Sequence, residues 1–509
     1  MHTRNRSFLL FLLLLCAFLL GGCTKRVALS GEKVAETVTE LTAVVTPEDL
    51  ALLDQLPDLK TADFSGSSCY EEILAWAAAH PQVEVRYTVL LPDGTAVPSD
   101  AKELDLSSLP ASQQEASLPL LRYLPRLQQI HLGSKPVPAD WIAPLRQALP
   151  EAKLDARLSL GGQSVDAEET QLQLPGLNAK GVKDLSQLLP VLTRLTRVDL
   201  GDQETSPDLT WKQIASLQEL RPDVAFAYGF TLYDRAFSTT DTVLDLKDAL
   251  VHDEGKEVRQ VLPCMQNLEK LDMEHCRVPD EILGQIQADY PDVEVVWRVY
   301  FGNIFSCRTN AIKILASNPG VGGNLTPENT ASLKYCTKIK YLDVGHNSLL
   351  TDISFVRYMP DLEVAILAMD DWTDASPLAD CPKLEFLEIQ TTQVSDLTPL
   401  ANLTNLRHLN ICYNFQLTDL SPIYGLDLQR LWIGCLTPIP PEQVEEYQRL
   451  HPRCRVDTEA YDPHSGWRWI GTDPKDGSPI RDPRYDLLVN QFGYDRGEYS
   501  FEWIDDRGW

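Results

Sequence analysis

Two columns of side chains recur along residues 339–435, and their types suit molecular recognition. One column is Tyr341, Val364, Phe386, His408 and Arg430; the other, two residues on, is Asp343, Ile366, Glu388, Asn410 and Trp432. Rings offer stacking faces, a guanidinium offers paired donors, and amide and carboxylate groups fix direction. Aromatics and arginine are the types enriched at binding hot spots. The candidate ligand-binding residues are therefore Tyr341, Ile366, Phe386, Glu388, His408, Asn410, Arg430 and Trp432. The plainer expectation for the same residues is cross-strand packing, which also favours aromatics. Catalysis finds no comparable pattern. The sequence holds no H-E-x-x-H, no G-x-S-x-G and no G-x-x-x-x-G-K-[ST]. No catalytic residue, metal ligand or cofactor is assigned. Asp473-Pro474-Lys475-Asp476-Gly477 lacks the alternating acids of a calcium loop and reads as a turn.

The elements that position these columns are repeats. Apolar anchors stand at Ile339, Leu362, Leu384, Leu406 and Leu428, at spacings of 23, 22, 22 and 22. A second marker keeps step: Thr351-Asp352-Ile353, Thr373-Asp374-Ala375, Ser395-Asp396-Leu397 and Thr418-Asp419-Leu420. A short fixed period means a solenoid, in which each unit buries its apolar face against its neighbours. Strand alternation turns the leucines inward and both columns outward onto the concave face.

Leu384-Glu385-Phe386-Leu387-Glu388-Ile389 and Leu406-Arg407-His408-Leu409-Asn410-Ile411 resemble the leucine-rich repeat pattern L-x-x-L-x-L-x-x-N. Ser395-Asp396-Leu397-Thr398-Pro399-Leu400 and Thr418-Asp419-Leu420-Ser421-Pro422-Ile423 resemble the turns of the 22-residue repeats of bacterial internalins. Ala365 replaces a leucine, and Asp370, Thr392 and Leu436 stand where that family has asparagine. The resemblance implies a binding role at a cell surface.

The first half repeats at about 70 residues. Segments starting at Leu59, Leu127, Leu195 and Leu268 lie 68, 68 and 73 apart, and the next step of 71 lands on Ile339. Helical stretches ahead of Pro81, Pro150, Pro222 and Pro291 follow them, because proline fits just past a helix end. Alternating runs come next, as in Val83–Val89 and Val293–Val299. A further strand family starts at Leu104, Leu172, Leu244 and Ile312. The common register predicts one continuous solenoid; a separate α/β domain is the alternative.

Arg4 and Arg6 precede an apolar run, Phe8–Leu20, too short to span ~30 Å of hydrocarbon, and Leu20-Gly21-Gly22-Cys23 resembles the bacterial lipobox. That resemblance implies lipidation at Cys23. The net charge of −28 argues against a nucleic-acid partner. Of 11 cysteines, Cys16 lies in the signal and Cys23 at the anchor; no C-x-x-C is present, and Cys264, Cys336 and Cys381, each three or four residues before a repeat anchor, read as small buried apolar groups, with no disulfide drawn. Near the end, Trp467, Trp469, Trp503, Trp509, Tyr461, Tyr485, Phe492, Tyr494, Tyr499 and Phe501 crowd together. They form either a cap over the last repeat or a stacking platform for sugars.

The resulting expectation is an α/β solenoid: a leucine-rich repeat array with a parallel concave sheet and helices on the convex side in the N-terminal part. Its segments are a signal (1–22), a tether (23–46), a degenerate long-period region (47–315), regular repeats with a closing helix (316–456) and an aromatic cap (457–509). It reads as a monomeric, non-enzymatic protein, lipid-anchored outside the bacterial cytoplasm. The concave face recognises a protein partner, or the C-terminal aromatics a glycan or cell-wall polymer.

Overall fold

The computed structural model describes residues 25–29, 31–317, 324–434, 436–458, 469–496 and 500. The lipobox and Cys23 lie outside the described residues. The chain divides into two compact units, Met1–Phe230 and Thr231–Trp509.

The first unit contains three parallel ladders of three strands. Glu40–Thr42, Thr61–Asp63 and Glu84–Arg86 make one; Glu103–Asp105, Gln129–Pro136 and Lys153–Leu160 the next; Gln171–Gln173, Arg197–Asp202 and Ala225–Leu232 the third. In the second ladder Leu104, Ile130 and Leu154 stand abreast and buried, while the residues between them stay polar. Helices Tyr70–Ala79, Ala139–Ala148 and Trp211–Leu220 connect the second strand of each ladder to the third. Each stops one or two residues before its proline, as the pattern requires.

The second unit opens with the same arrangement: Val243–Asp245, Lys270–Asp272 and Glu294–Val296 in parallel, with helix Asp280–Asp289 ahead of Pro291. The expectation is one parallel sheet or its direct continuation through Leu195, Leu268 and Ile339; the strands after these residues belong to three separately hydrogen-bonded sheets. The cause is local. Beyond Val296 the chain turns into an antiparallel hairpin, Arg298–Phe301 with Phe305–Arg308, whose backbone groups pair with each other. Thr309 N then donates to Trp297 O, so the next parallel strand starts a new ladder.

That ladder is the regular array. Its strands are β1 (Lys313–Leu315), β2 (Tyr341–Asp343), β3 (Val364–Ile366), β4 (Phe386–Glu388), β5 (His408–Asn410), β6 (Arg430–Trp432) and β7 (Arg455–Asp457), all parallel and in sequence order. Ile314, Leu342, Ala365, Leu387, Leu409 and Leu431 form one fully buried row. The closing helix α1 (Pro441–Leu450) precedes β7.

The recurring acidic marker has a mechanical role. Asp352, Asp374, Asp396 and Asp419 each accept, through Oδ1, the amide of the residue two places on, at 2.7, 2.8, 2.8 and 2.9 Å. Each such turn opens a short 3₁₀ helix, three of which carry proline in the first turn, where no amide is needed. On the other side of each strand, His346, Met369, Thr391 and Tyr413 hold left-handed φ values of 57–63°. The residue after each joins a buried ladder: Asn347 Nδ2 donates to Val344 O at 2.7 Å, and Asn414 Nδ2 to Ile389 O at 3.0 Å. Thr392 donates through its hydroxyl to Ile389 O at 3.0 Å. Asp370 makes no such bond, and Trp372 Nε1 donates to the carbonyl of Leu367 at 3.0 Å. Leu436 is not the ladder residue of the last turn. It is the left-handed residue, φ 67°, and Thr437 Oγ1 bonds Ile411 O at 2.9 Å in the asparagine's place. A leucine side chain cannot serve a buried carbonyl, so the ladder position falls on its neighbour.

Candidate functional site

The strands place every residue of the two columns where alternation requires. Tyr341, Val364, Phe386, His408 and Arg430 stand abreast, and so do Asp343, Ile366, Glu388, Asn410 and Trp432. The expectation that they face solvent is corrected. Phe386 is 2% exposed, Trp432 and Arg430 3%, and Asn410 is fully buried. Ile366 and Glu388 are also buried, while Tyr341 and His408 are half-buried.

The cover is the chain's own C-terminal segment. Helix α2 (Pro483–Phe492) lies on the concave face. Its start is local chemistry: Asp482 caps it by accepting the amide of Arg484 at 2.8 Å, and Pro483 fits the first turn. Its end is Gly493, at φ 72° in the left-handed conformation that glycine adopts without strain. Tyr485, Leu488, Val489 and Phe492, spaced as one helical face, turn toward the sheet, while Asp486, Leu487 and Asn490 turn to solvent. Leu488 and Phe492 join Leu315, Val364, Ile366, Ala368, Phe386 and Trp432 in one apolar cluster.

Polar contacts hold the helix at both ends. Asp482 pairs with Arg430 Nη1, whose Nε also binds Asp457 at 2.9 Å. At the far end, Lys313 Nζ donates to Phe492 O at 3.3 Å, where the helix dipole favours a cation. Beyond it, Tyr494 donates to Asp343 Oδ2. Ser500 then reaches the edge of the sheet: its amide donates to Leu315 O at 2.8 Å and its hydroxyl accepts from Leu315 N at 2.9 Å. The segment thus crosses the array from β6 to β1.

Burial sets the electrostatics of the groove. His408 stacks on Phe386 at 5.6 Å, and desolvation, assisted by Arg484, lowers its pKa from 6.5 to about 4. Arg430 lies over the Trp432 ring at 4.4 Å, and Arg484 over Phe386 at 5.8 Å. Desolvation and the neighbouring Asp343 push the Tyr494 hydroxyl far above its ordinary range. His408 Nδ1 and Trp432 Nε1 are buried without a hydrogen-bond partner among the described residues. The arrangement can bind an amphipathic helix; no nucleophile–base pair is formed in it.

Of the C-terminal aromatics, Tyr485, Phe492 and Tyr494 pack on the sheet. The side chain of Trp469, and Trp467, Trp503, Trp509, Tyr461, Tyr499 and Phe501, lie outside the described residues. The Asp473–Gly477 segment is a turn: Asp473 Oδ1 accepts the Lys475 amide at 2.8 Å and Gly477 N donates to Asp473 O at 2.8 Å. Among the described residues, no group of three or more His, Cys, Asp or Glu side chains is placed to hold a metal ion. Asp482, Leu488 and Val489 were not among the sequence candidates. Their signal was present in the Asp-Pro start, the i, i+3, i+4, i+7 spacing and the closing glycine.

Parallel strands at 22–23-residue spacing, buried leucines in register and a buried polar ladder at the turns, with Asn347 and Asn414 among its members, define a leucine-rich repeat solenoid. The family profile "Leucine Rich repeats (2 copies)" matches residues 382–425. The fold is similar to that of a leucine-rich repeat protein of Leptospira interrogans, at 18% identity and a TM-score of 0.25, over 80% of this chain and 91% of that one. An internalin (inlF) of Listeria monocytogenes is similar at 14% identity and a TM-score of 0.23, over 85% and 86% of the two chains. Internalin C2 of the same organism gives 20% identity and a TM-score of 0.22, over 39% of this chain and 73% of that one. No curated protein matches the chain.

Proposed function

We propose that this is a binding protein, lipid-anchored at Cys23 to the outer side of a bacterial membrane, which recognises a protein partner through the concave face of its regular repeats. Leucine-rich repeat arrays are in general binding scaffolds rather than enzymes. The observation that carries the reading is the helix seated on that face. An apolar floor of Val364, Ile366, Phe386 and Trp432, with Arg430 at one end and Lys313 at the other, already matches an amphipathic helix in shape and charge. The glycan alternative is disfavoured by Tyr485, Phe492 and Tyr494, which turn toward the sheet. The chain acts as a monomer, and its charge of −28 directs it away from nucleic acids. The test is an array of bacterial and host surface proteins and glycans probed with the soluble chain from Thr24. A protein ligand whose binding weakens with Trp432→Ala supports the reading. Glycan binding indifferent to Trp432 would overturn it.

A further inference from the structure

We infer that residues 482–496, with Ser500, are a displaceable internal ligand, and that the groove they fill takes a partner helix of the same chemistry. That partner carries a carboxylate at its N-cap and an aromatic–leucine–aromatic face in the spacing of Tyr485, Leu488 and Phe492. The inference rests on the reading of the concave face as the binding surface and adds its regulation.

Three observations carry it. The first is that the array is complete without the segment. Each of β2 to β6 is hydrogen-bonded to a strand on both sides, and the buried leucine row lies on the opposite face of the sheet from α2. The segment adds a second apolar cluster rather than closing the first. The second is that its mode of attachment is that of a docked peptide. One helical face is buried, the opposite face is open with Leu487 half exposed, and the polar contacts sit at the two ends. The third is that the fit leaves hydrogen-bonding capacity unused. His408 Nδ1 and Trp432 Nε1 are buried beneath it with no hydrogen-bond partner among the described residues. A ligand serving them removes a desolvation cost that the internal helix leaves in place.

Tethering explains how such a groove stays shut. A linked segment acts at an effective concentration on the order of millimolar, so a free ligand must match the groove better or be anchored nearby to displace it. Two related states follow: a closed one, and an open one in which Phe386 and Trp432 meet solvent.

The experiment uses the soluble chain from Thr24, a Leu488→Asp variant of it, and a labelled synthetic peptide spanning residues 479–500. Hydrogen exchange is followed in the strands and in α2. We expect Leu488→Asp to keep strand protection, to lose protection across 483–492, and to bind the peptide at least ~100-fold more tightly than the unaltered chain, the advantage removed by tethered competition. Adding Trp432→Ala to that variant should abolish peptide binding. Loss of strand protection in Leu488→Asp would make the segment part of the folding core and overturn the inference. So would peptide binding that is absent with the strands intact, or equal in both chains. An Asp482→Ala chain, which keeps the apolar face, gives the same comparison with a milder change. Because the probe is the chain's own peptide, these failures concern displacement alone; the surface array tests the concave-face reading.

Discussion

Arg430 and Asp482 form a buried ion pair across 52 residues of sequence, joining the sixth strand of the array to the cap of the helix that covers it. Arg430 also binds Asp457, so one guanidinium ties two carboxylates from separate segments. Removing it leaves Asp482 buried without its cation, while Asp457 keeps Arg455 at 3.0 Å. Arg430→Ala should cost ~3–5 kcal/mol, as broken buried pairs do, read from chemical denaturation. A loss below about 1 kcal/mol, the scale of an exposed pair, would mean the pair is solvent-screened.

Neighbouring residues of one strand should behave differently. Leu387 lies in the buried row and Phe386 under α2. Leu387→Ala should lower the global stability of the array by ~2–5 kcal/mol. Phe386→Ala should act first on the helix, raising amide exchange in 483–492 ahead of the strands. Equal exchange in both segments for both variants would contradict this division.

Asp370 should make the array less stable as pH rises. Desolvation lifts its pKa from 3.8 to about 9, so the unfolded chain ionises first. Its contribution is favourable below pH 3.8, declines by about 1.4 kcal/mol per unit through that window, and levels off above about 9. Asp370→Asn should therefore stabilise the protein at pH 7, by up to about 4 kcal/mol, and flatten the slope. A stability profile unchanged by the substitution would refute the assignment.

His408 works in the opposite direction. Its folded pKa of about 4 lies below the ordinary 6.5, so its contribution is complete above pH 6.5 and is lost as pH falls toward 4. The groups facing it are Arg484 and Asp482 of the covering segment and Arg430 of the sheet. Acid should accordingly raise exchange in α2 before the strands, and His408→Phe should remove the effect.

Cys23→Ala should leave the protein unlipidated, released or held as precursor. A variant still fully processed and membrane-bound would reject the lipid anchor.

The repeats were legible because they depend on short-range rules: an inward leucine every second residue of a strand, an Asp capping each turn, and a fixed period. The column residues were placed correctly for the same reason. Their burial was not legible, because it depends on a contact between residues such as Tyr494 and Asp343, 151 apart in sequence. The break between ladders was hidden too, since strand spacing does not record whether a hairpin intervenes. Nor does spacing reveal Glu274, fully buried against Arg298 and Arg308, 24 and 34 residues away.

Ser500 occupies the backbone of Leu315, the outermost strand of the seven. A parallel sheet that ends in bare amides and carbonyls is a template for another chain. The residue that finishes the cover therefore also shields that template. Ser500 also reaches the hairpin, its carbonyl accepting Ser306 N at 2.8 Å, so lifting the cover would free backbone groups of two segments at once, at Leu315 and at Ser306.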